Sequence, residues 1–384
     1  MSSKTALVLS GGGARGAYQV GVLKGLSQIF VQNKIPVPFN ILSGTSAGAI
    51  NTAKLATTEG DFHSAIESLE KLWINIKSDQ VFKTDLLSFN KFGLGALLSS
   101  PKKFNSLLDT SPLKKLIEDH CQFSQIQKNL EKGLFDSIII TANNYNKNKA
   151  ISFIQSSSRV NESLILWKES RRSAEFSQLT SSHIMASSAI PMLFAPIYLN
   201  GEPYGDGCVR NSTPCSPSIR MGAQKLFVIG VRSQEHDLSQ HKTSKNHNPV
   251  TDVSMIRIMN TLLNAVLLDS VEQDVQRIQR LNQLFDEARK SHPEFKTEKL
   301  KKIPALCVSP SQDIGEIARS KAHHIPRILR MSINAFGDLD EASEILSYLL
   351  FDGEFCKTLI EMGHKDALAQ KDEITDFFLS KENI

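Results

Sequence analysis

No uncharged apolar run of about 18 residues occurs in this 384-residue chain, so the sequence predicts no transmembrane helix. A secretory leader is not expected either, because the apolar run "ALVL" near the N-terminus meets glycines after four residues. The expectation is a cytoplasmic or peripheral-membrane protein, with export by routes that read other signals left open. Cysteine is scarce. Cys121, Cys208, Cys215, Cys307 and Cys356 form an odd set without CxxC spacing, which fits free thiols in a reducing compartment better than a disulfide framework. No His/Cys/Asp cluster has ligand spacing, so neither a metal nor a cofactor is expected. An excess of one charge is also missing: 44 Lys and Arg against 40 Asp and Glu give +4. With no zinc-finger or RNA-binding signature beside it, that charge predicts no nucleic-acid partner. There is no internal repeat. What is present, 41% apolar and 22% charged residues, is the composition of a globular protein of one large domain or two ordinary ones.

Ala6 to Leu9 reads as a buried strand and Gly16 to about Phe30 as a helix, with Val20, Leu23, Leu26 and Ile29 as its apolar stripe. A second strand ends near Ser43, and "SAGAINTAKLA" gives a second helix. This β-α-β-α order with short connections predicts a parallel sheet between helical layers. Residues 56–130 change character and read as a helical cap insertion. Within it, Ser111 and Pro112 are placed as N-cap and first residue of a helix. The glycine-broken apolar stretch 81–104 reads either as irregular packing over the core or as a lid over a site. "DSIIITANNYNKNKAISFI" is a hairpin, Pro191 stops a helix, and a short strand ends at Asp206. Residues 225–231 and 304–310 are further buried strands. Between them lie a polar stretch, 233–250, and one long helix from about Ser254 to Lys290. The rest is helical from about Ile314.

"SGGGARGAY" after the first strand poses a choice between a phosphate cradle and an oxyanion hole. Gly11, Gly13 and Gly16 satisfy G-x-G-x-x-G. The second strand, however, ends in "FNILSG" with no carboxylate for a ribose, and no G-K-[ST] follows the glycines. That strand delivers "GTSAG" instead. Gly44-x-Ser46-x-Gly48 at a strand-to-helix junction is a nucleophile elbow, although Ser46 could also simply cap the helix. Two neighbouring strand ends then carry bare backbone N–H groups and a serine, with two helix N-termini aimed at one spot. Acyl transfer needs that arrangement, so the glycines read as oxyanion-hole backbone.

The serine needs a base. His236, His241, His247, His292, His323, His324 and His364 follow it, yet none lies in a strand-end motif. Asp206 in "YGDGC" is the better candidate, provided a dry site raises its pKa, and its bland alternative is a turn residue. In this order "GGGARG", "GTSAG", "ASSAIP" and "DG" resemble the patatin-like phospholipase family over roughly residues 5–232. The resemblance implies a three-layer α/β/α sandwich with a mainly parallel sheet and a mostly helical C-terminal extension. It places a catalytic core at 1–232 and lets 233–384 complete the sheet and add helices. It further implies hydrolysis of phospholipid or lysophospholipid esters by a Ser46–Asp206 dyad without a catalytic histidine. Gly11, Gly12, Gly13, Arg15 and Gly16 would form the oxyanion loop, with Arg15 orienting the loop or meeting a phosphate head group. Residues 186–191 would be a structural segment near the site. One departure is Cys208, where the family usually has glycine or alanine; it could crowd the dyad or point away.

Lipid acyl transfer through the same dyad is an alternative, as is a catalytically weak lipid-binding regulator that needs a protein activator. A lipid substrate calls for a membrane-facing surface. The basic stretch 318–330, with Arg319, Lys321, Arg327 and Arg330, is one candidate and 81–104 the other, a solvated face being the plainer reading of the basic stretch.

Overall fold

The computed structural model describes residues 4–83, 108–158, 160, 167–233, 254–267, 269–292, 301–336 and 339–380. The lid-like stretch 81–104 lies outside these from residue 84 on, as does the polar stretch 233–250 from residue 234 on. In chain order the elements are β1 (Thr5–Leu9), α1 (Gly16–Gln32), β2 (Phe39–Thr45), α2 (Ala47–Thr57) and α3 (Phe62–Ile74). Then come α4 (Ser111–His120), α5 (Ser124–Glu131), β3 (Ser137–Asn144), β4 (Lys149–Ser156), β5 (Arg172–Phe176) and α6 (Ser181–Ser187). The hairpin β6 (Ile197–Leu199) and β7 (Glu202–Asp206) precedes α7 (Ser216–Arg220) and β8 (Lys225–Ile229). The C-terminal region holds α8 (Met255–Leu267), α9 (Asp269–Ser291), β9 (Ala305–Val308), α10 (Ile314–Ser320) and α11 (Arg327–Phe336). It ends with α12 (Ser343–Leu349), α13 (Gly353–Ala369) and α14 (Lys371–Leu379).

The strands form one sheet in the order β5-β4-β3-β2-β1-β8-β9. From β3 to β9 every neighbour is parallel, β4 turns back antiparallel on β3, and β7 pairs antiparallel with the end of β3. Strand side chains alternate between two faces, and both faces are dry. Leu7, Leu9, Leu42, Ile138 and Phe227 join the larger core with α1, α2, α12 and α13. Ala6, Val8, Ile41, Ile139 and Val228 pack on the other face against Val271, Val275 and Ile278 of α9. This is the three-layer α/β/α sandwich with a mainly parallel sheet. The C-terminal helices are part of it. Phe377 and Phe378 close on Phe30, Phe39 and Phe227, and α13 lies along α1 with glycine at the contact. A Cβ at Gly21 would overlap the Ile360 carbonyl, and one at Gly363 the Tyr18 carbonyl.

The 254–290 pattern is helical on both sides of residue 268, which lies outside the described residues. Two local expectations change. Thr110, not Ser111, is the N-cap of α4, because Asp109 accepts the Ser111 N–H at 2.8 Å and moves the boundary back by one residue. The half-exposed strand β5, "RSAEF", adds an edge that the sequence pattern does not announce.

Candidate active site

In a parallel sheet the carboxyl ends of the strands carry the loops that meet in a crevice. Here the glycine loop follows β1 and Ser46 follows β2, and Leu9 stands in register with Gly44. Asp206 arrives by a different path. Thr45 pairs with Thr141 on β3, and the next β3 residue, Ala142, pairs with Asp206 at the end of the returning strand β7. The antiparallel turn-back therefore delivers a carboxylate to the end of β2, 160 residues along the chain.

Ser46 sits at φ 55°, ψ −124°, a conformation uncommon for a residue with a side chain. Strain of this kind costs of order 1–3 kcal/mol and persists only where the surroundings over-determine it. They do so here. A Cβ at Gly44 would overlap the Gly48 carbonyl, and one at Gly48 the Leu9 carbonyl, so the elbow closes only with glycine at both places. The Ser46 N–H donates to Ser187 Oγ at 2.9 Å, and Ser188 Oγ donates to the Ser46 carbonyl at 3.2 Å. Ser187 Oγ in turn donates to the Thr141 carbonyl at 2.6 Å, and the Asp206 N–H donates to the Ala189 carbonyl at 2.8 Å. The segment 186–191 thus grips the backbone of both Ser46 and Asp206. Sequence reasoning placed it near the site without seeing this grip.

Asp206 is fully buried. Its Oδ1 accepts the Cys208 N–H at 2.9 Å, whereas Oδ2 is buried with no formed hydrogen bond. Burial pushes its pKa up from the ordinary 3.8 to about 6, and the Ser46 hydroxyl and Cys208 groups beside it hold the rise in check. Hydrogen bonds of catalytic groups are often long before substrate arrives, so the Ser46 contact acts on the carboxyl without ideal geometry. Among the described residues, His63, His183, His324 and His364 are engaged elsewhere, with Ser27, Thr180, Asp352 and Gln28.

Cys208 does not point away from the site. Its thiol is wedged between the glycine loop and Asp206, where a Cβ added to Gly11 would overlap the sulfur. Burial first, and then the Asp206 charge, push the thiol well above its usual pKa, while the Gly11 N–H acts on the sulfur in the opposite sense. The sulfur is therefore a protonated thiol linking the loop to the carboxyl, not a nucleophile.

The loop itself turns at Gly12 (φ 152°) and Gly13 (φ 58°), the second of these in the left-handed region where glycine is at ease. Gly13–Arg15 is a 3₁₀ turn leading into α1. Within it the Arg15 N–H donates to the Gly12 carbonyl at 3.2 Å, and the Gly16 N–H donates back into the turn. Gly11, Gly12 and Gly13 donate to no backbone carbonyl among the described residues. Below the loop a buried polar chain is closed. Gln19 Nε2 donates to the Ser10 carbonyl at 2.7 Å, Asn51 Nδ2 donates to Gln19 Oε1 at 2.9 Å, and Trp73 Nε1 donates to Asn51 Oδ1 at 2.8 Å.

Arg15 is buried, and its guanidinium turns into the protein toward Glu344, Ser347 and the Val231 carbonyl. Burial, the largest single influence, works against its charge, but Glu344, Tyr348 and Asp313 together outweigh it and the net pKa shift is upward. Of the basic stretch, Arg319 pairs with Glu316, Lys321 with Glu354, and Arg330 donates to the Ala322 carbonyl. The Arg319 and Lys321 pairings fit a solvated face, whereas the Nε of Arg330 is buried. Among the described residues no helix is long and apolar enough to cross a membrane.

A family model described as Patatin-like phospholipase matches residues 7–219. An uncharacterized protein of Acanthamoeba polyphaga mimivirus is 25% identical over 256 residues, covering 64% of this chain and 71% of its own. Patatin-like phospholipase domain-containing protein 7 of Rattus norvegicus is 27% identical over 237 residues, 62% of this chain and 14% of that much longer protein. Two solved structures resemble the chain more distantly, each at 12% identity. VipD of Legionella pneumophila has a TM-score of 0.36 and covers 97% of this chain and 67% of its own. Human GIVD cytosolic phospholipase A2, in complex with methyl gamma-linolenyl fluorophosphonate, has a TM-score of 0.39 and covers 98% and 59%.

Proposed function

The chain belongs to the patatin-like phospholipase family, a family of lipid ester hydrolases, and from that premise we propose that it cleaves the carboxyl esters of phospholipids or lysophospholipids through a Ser46–Asp206 dyad. The observation that carries the reading is the buried carboxylate with an unpartnered oxygen beside a serine held in a strained elbow. A base with a pKa of about 6 is ionised at neutral pH yet basic enough to take a proton in the transition state.

In the first step Asp206 takes the Ser46 Oγ proton while Oγ attacks the ester carbonyl. The developing oxyanion is met by the N–H groups of the glycine loop, of which those of Gly12 and Gly13 donate to no backbone carbonyl among the described residues and that of Gly11 also reaches the Cys208 sulfur. Collapse expels the glycerol oxygen, which leaves with the proton from Asp206, and the acyl group remains on Ser46. Water then enters, Asp206 takes its proton, and a second tetrahedral state breaks down to fatty acid and free serine. Substrate reaches such a site from a lipid surface, so peripheral contact with a membrane belongs to the proposal.

The test is fatty-acid release from mixed phospholipid and lysophospholipid vesicles by wild type, Ser46→Ala and Asp206→Asn, with fluorophosphonate labelling of Ser46 in parallel. Release and labelling by wild type, both lost in Ser46→Ala, are expected, and the products name the ester cut. A wild type that neither releases fatty acid nor labels refutes the dyad.

A further inference from the structure

Arg15 stands two residues beyond the last free amide of the glycine loop, and none of the guanidinium contacts found here reaches toward the crevice. Its Nε donates to Ser347 Oγ at 2.7 Å, Nη1 donates to the Val231 carbonyl at 3.3 Å, and Nη2 meets Glu344 Oε2. The guanidinium carbon lies 4.9 Å from the centre of the Tyr348 ring. The Glu344 carboxylate is buried like its partner, if slightly less deeply, and Ser347 Oγ donates to the Glu344 carbonyl at 2.5 Å. The backbone follows the same direction, because a Cβ at Gly13 would overlap the Tyr348 carbonyl. One short helix, α12, therefore grips the loop at Gly13 and at Arg15. Further anchors hold α12 itself, since its Ile345 N–H donates to Asn260 Oδ1 and the Tyr348 hydroxyl to Asn264 Oδ1, both on α8.

We propose that Glu344, 329 residues from Arg15 and outside every catalytic motif, is a positioning residue that sets the direction of the oxyanion-loop amides through its ion pair with Arg15. The proposal rests on the reading of Gly11–Gly13 as oxyanion donors. A donor that misses the oxyanion loses most of its effect, since a misplacement of about 1 Å can cost on the order of a hundredfold in rate. An ion pair of purely architectural value would lower stability and leave turnover alone.

The experiment uses the full chain and four forms: wild type, Ser46→Ala, Glu344→Gln, and the double variant Arg15→Met with Glu344→Leu. Replacing both buried charges by apolar side chains is often neutral for stability or better, so the double variant removes the grip without leaving a lone charge. Each form is assayed on a soluble short-chain ester below its own melting temperature, and by hydrogen exchange of peptides spanning residues 10–18. We expect kcat to fall about 10- to 100-fold in both Glu344 variants with KM within about twofold, the size of a partly lost oxyanion donor. Exchange over 10–18 should quicken while that of β2 and β3 stays unchanged. A double variant with wild-type kcat and wild-type exchange over 10–18 overturns the proposal. If wild type is no faster than Ser46→Ala, the acyl-hydrolase reading fails, and the exchange arm alone decides whether Glu344 holds the loop.

Discussion

Asp206→Asn should abolish turnover and at the same time make the protein more stable. The carboxyl is fully buried, and burial raises its pKa from 3.8 to about 6. A raised pKa in an acid means that the folded state binds the proton more tightly than the unfolded chain. Stability is then greatest below the unfolded pKa and is lost as the pH rises through the folded one. A shift of roughly two units corresponds to about 3 kcal/mol withdrawn from the folded state at pH 8. Asparagine has the same shape and carries no charge, so the variant escapes that loss. With an unfolding entropy of about 2.1 cal/mol/K per residue over 384 residues, the gain amounts to a rise in Tm of about 4 °C. The assay is thermal and urea unfolding of wild type and Asp206→Asn between pH 4 and 8. The advantage of the variant should be full near pH 8, about half that at pH 5, and small at pH 4. A variant no more stable than wild type at pH 8, or an advantage that does not shrink with acid, would refute the claim that Asp206 is held charged in a dry site.

Two further outcomes follow from the same geometry. Cys208→Ala removes a thiol that draws the Asp206 pKa down, so the acid limb of kcat/KM, expected near pH 6 in wild type, should move upward, and Cys208→Ser should restore it. An unmoved limb would mean that the thiol does not act on the carboxyl. Ser187→Ala deletes both the acceptor for the Ser46 N–H and the donor to the Thr141 carbonyl. A buried amide left unsatisfied costs about 1–3 kcal/mol, to be read by urea unfolding, and the loosened elbow should slow fluorophosphonate labelling as well.

Ser46, Asp206 and the glycines were legible in the sequence because backbone geometry dictates those residue types at fixed spacing. An elbow with φ 55° at its tip closes only between Gly44 and Gly48, and that need is written in five consecutive letters. The β-α-β-α start was legible for a related reason, since local apolar period and short loops carry it. Nothing local marks Glu344, which in "SEILSYLL" looks like any solvated helix carboxylate; its burial exists only once α12 meets the loop. Ser187 was visible as part of a motif, but its role depends on two distant backbone groups. The orientation of Cys208 could not be chosen from sequence, because both a crowded and an averted thiol suit the same letters.

The contact between α1 and α13 also has a meaning in time. During synthesis the glycine loop, the elbow serine and Asp206 have all left the ribosome well before Glu344, Gly363, Phe377 and Phe378 exist. At about 5–20 residues per second, the interval between Arg15 and Glu344 is on the order of 15–65 s. Throughout that interval the Arg15 guanidinium has no carboxylate, and the groove on α1 around Gly21 has no helix to fill it. If Ser46 and Asp206 react as proposed and Glu344 aims the loop as proposed, the nascent chain carries the reacting groups before it has the brace. Activity would then be expected only once the last helices have closed on the first.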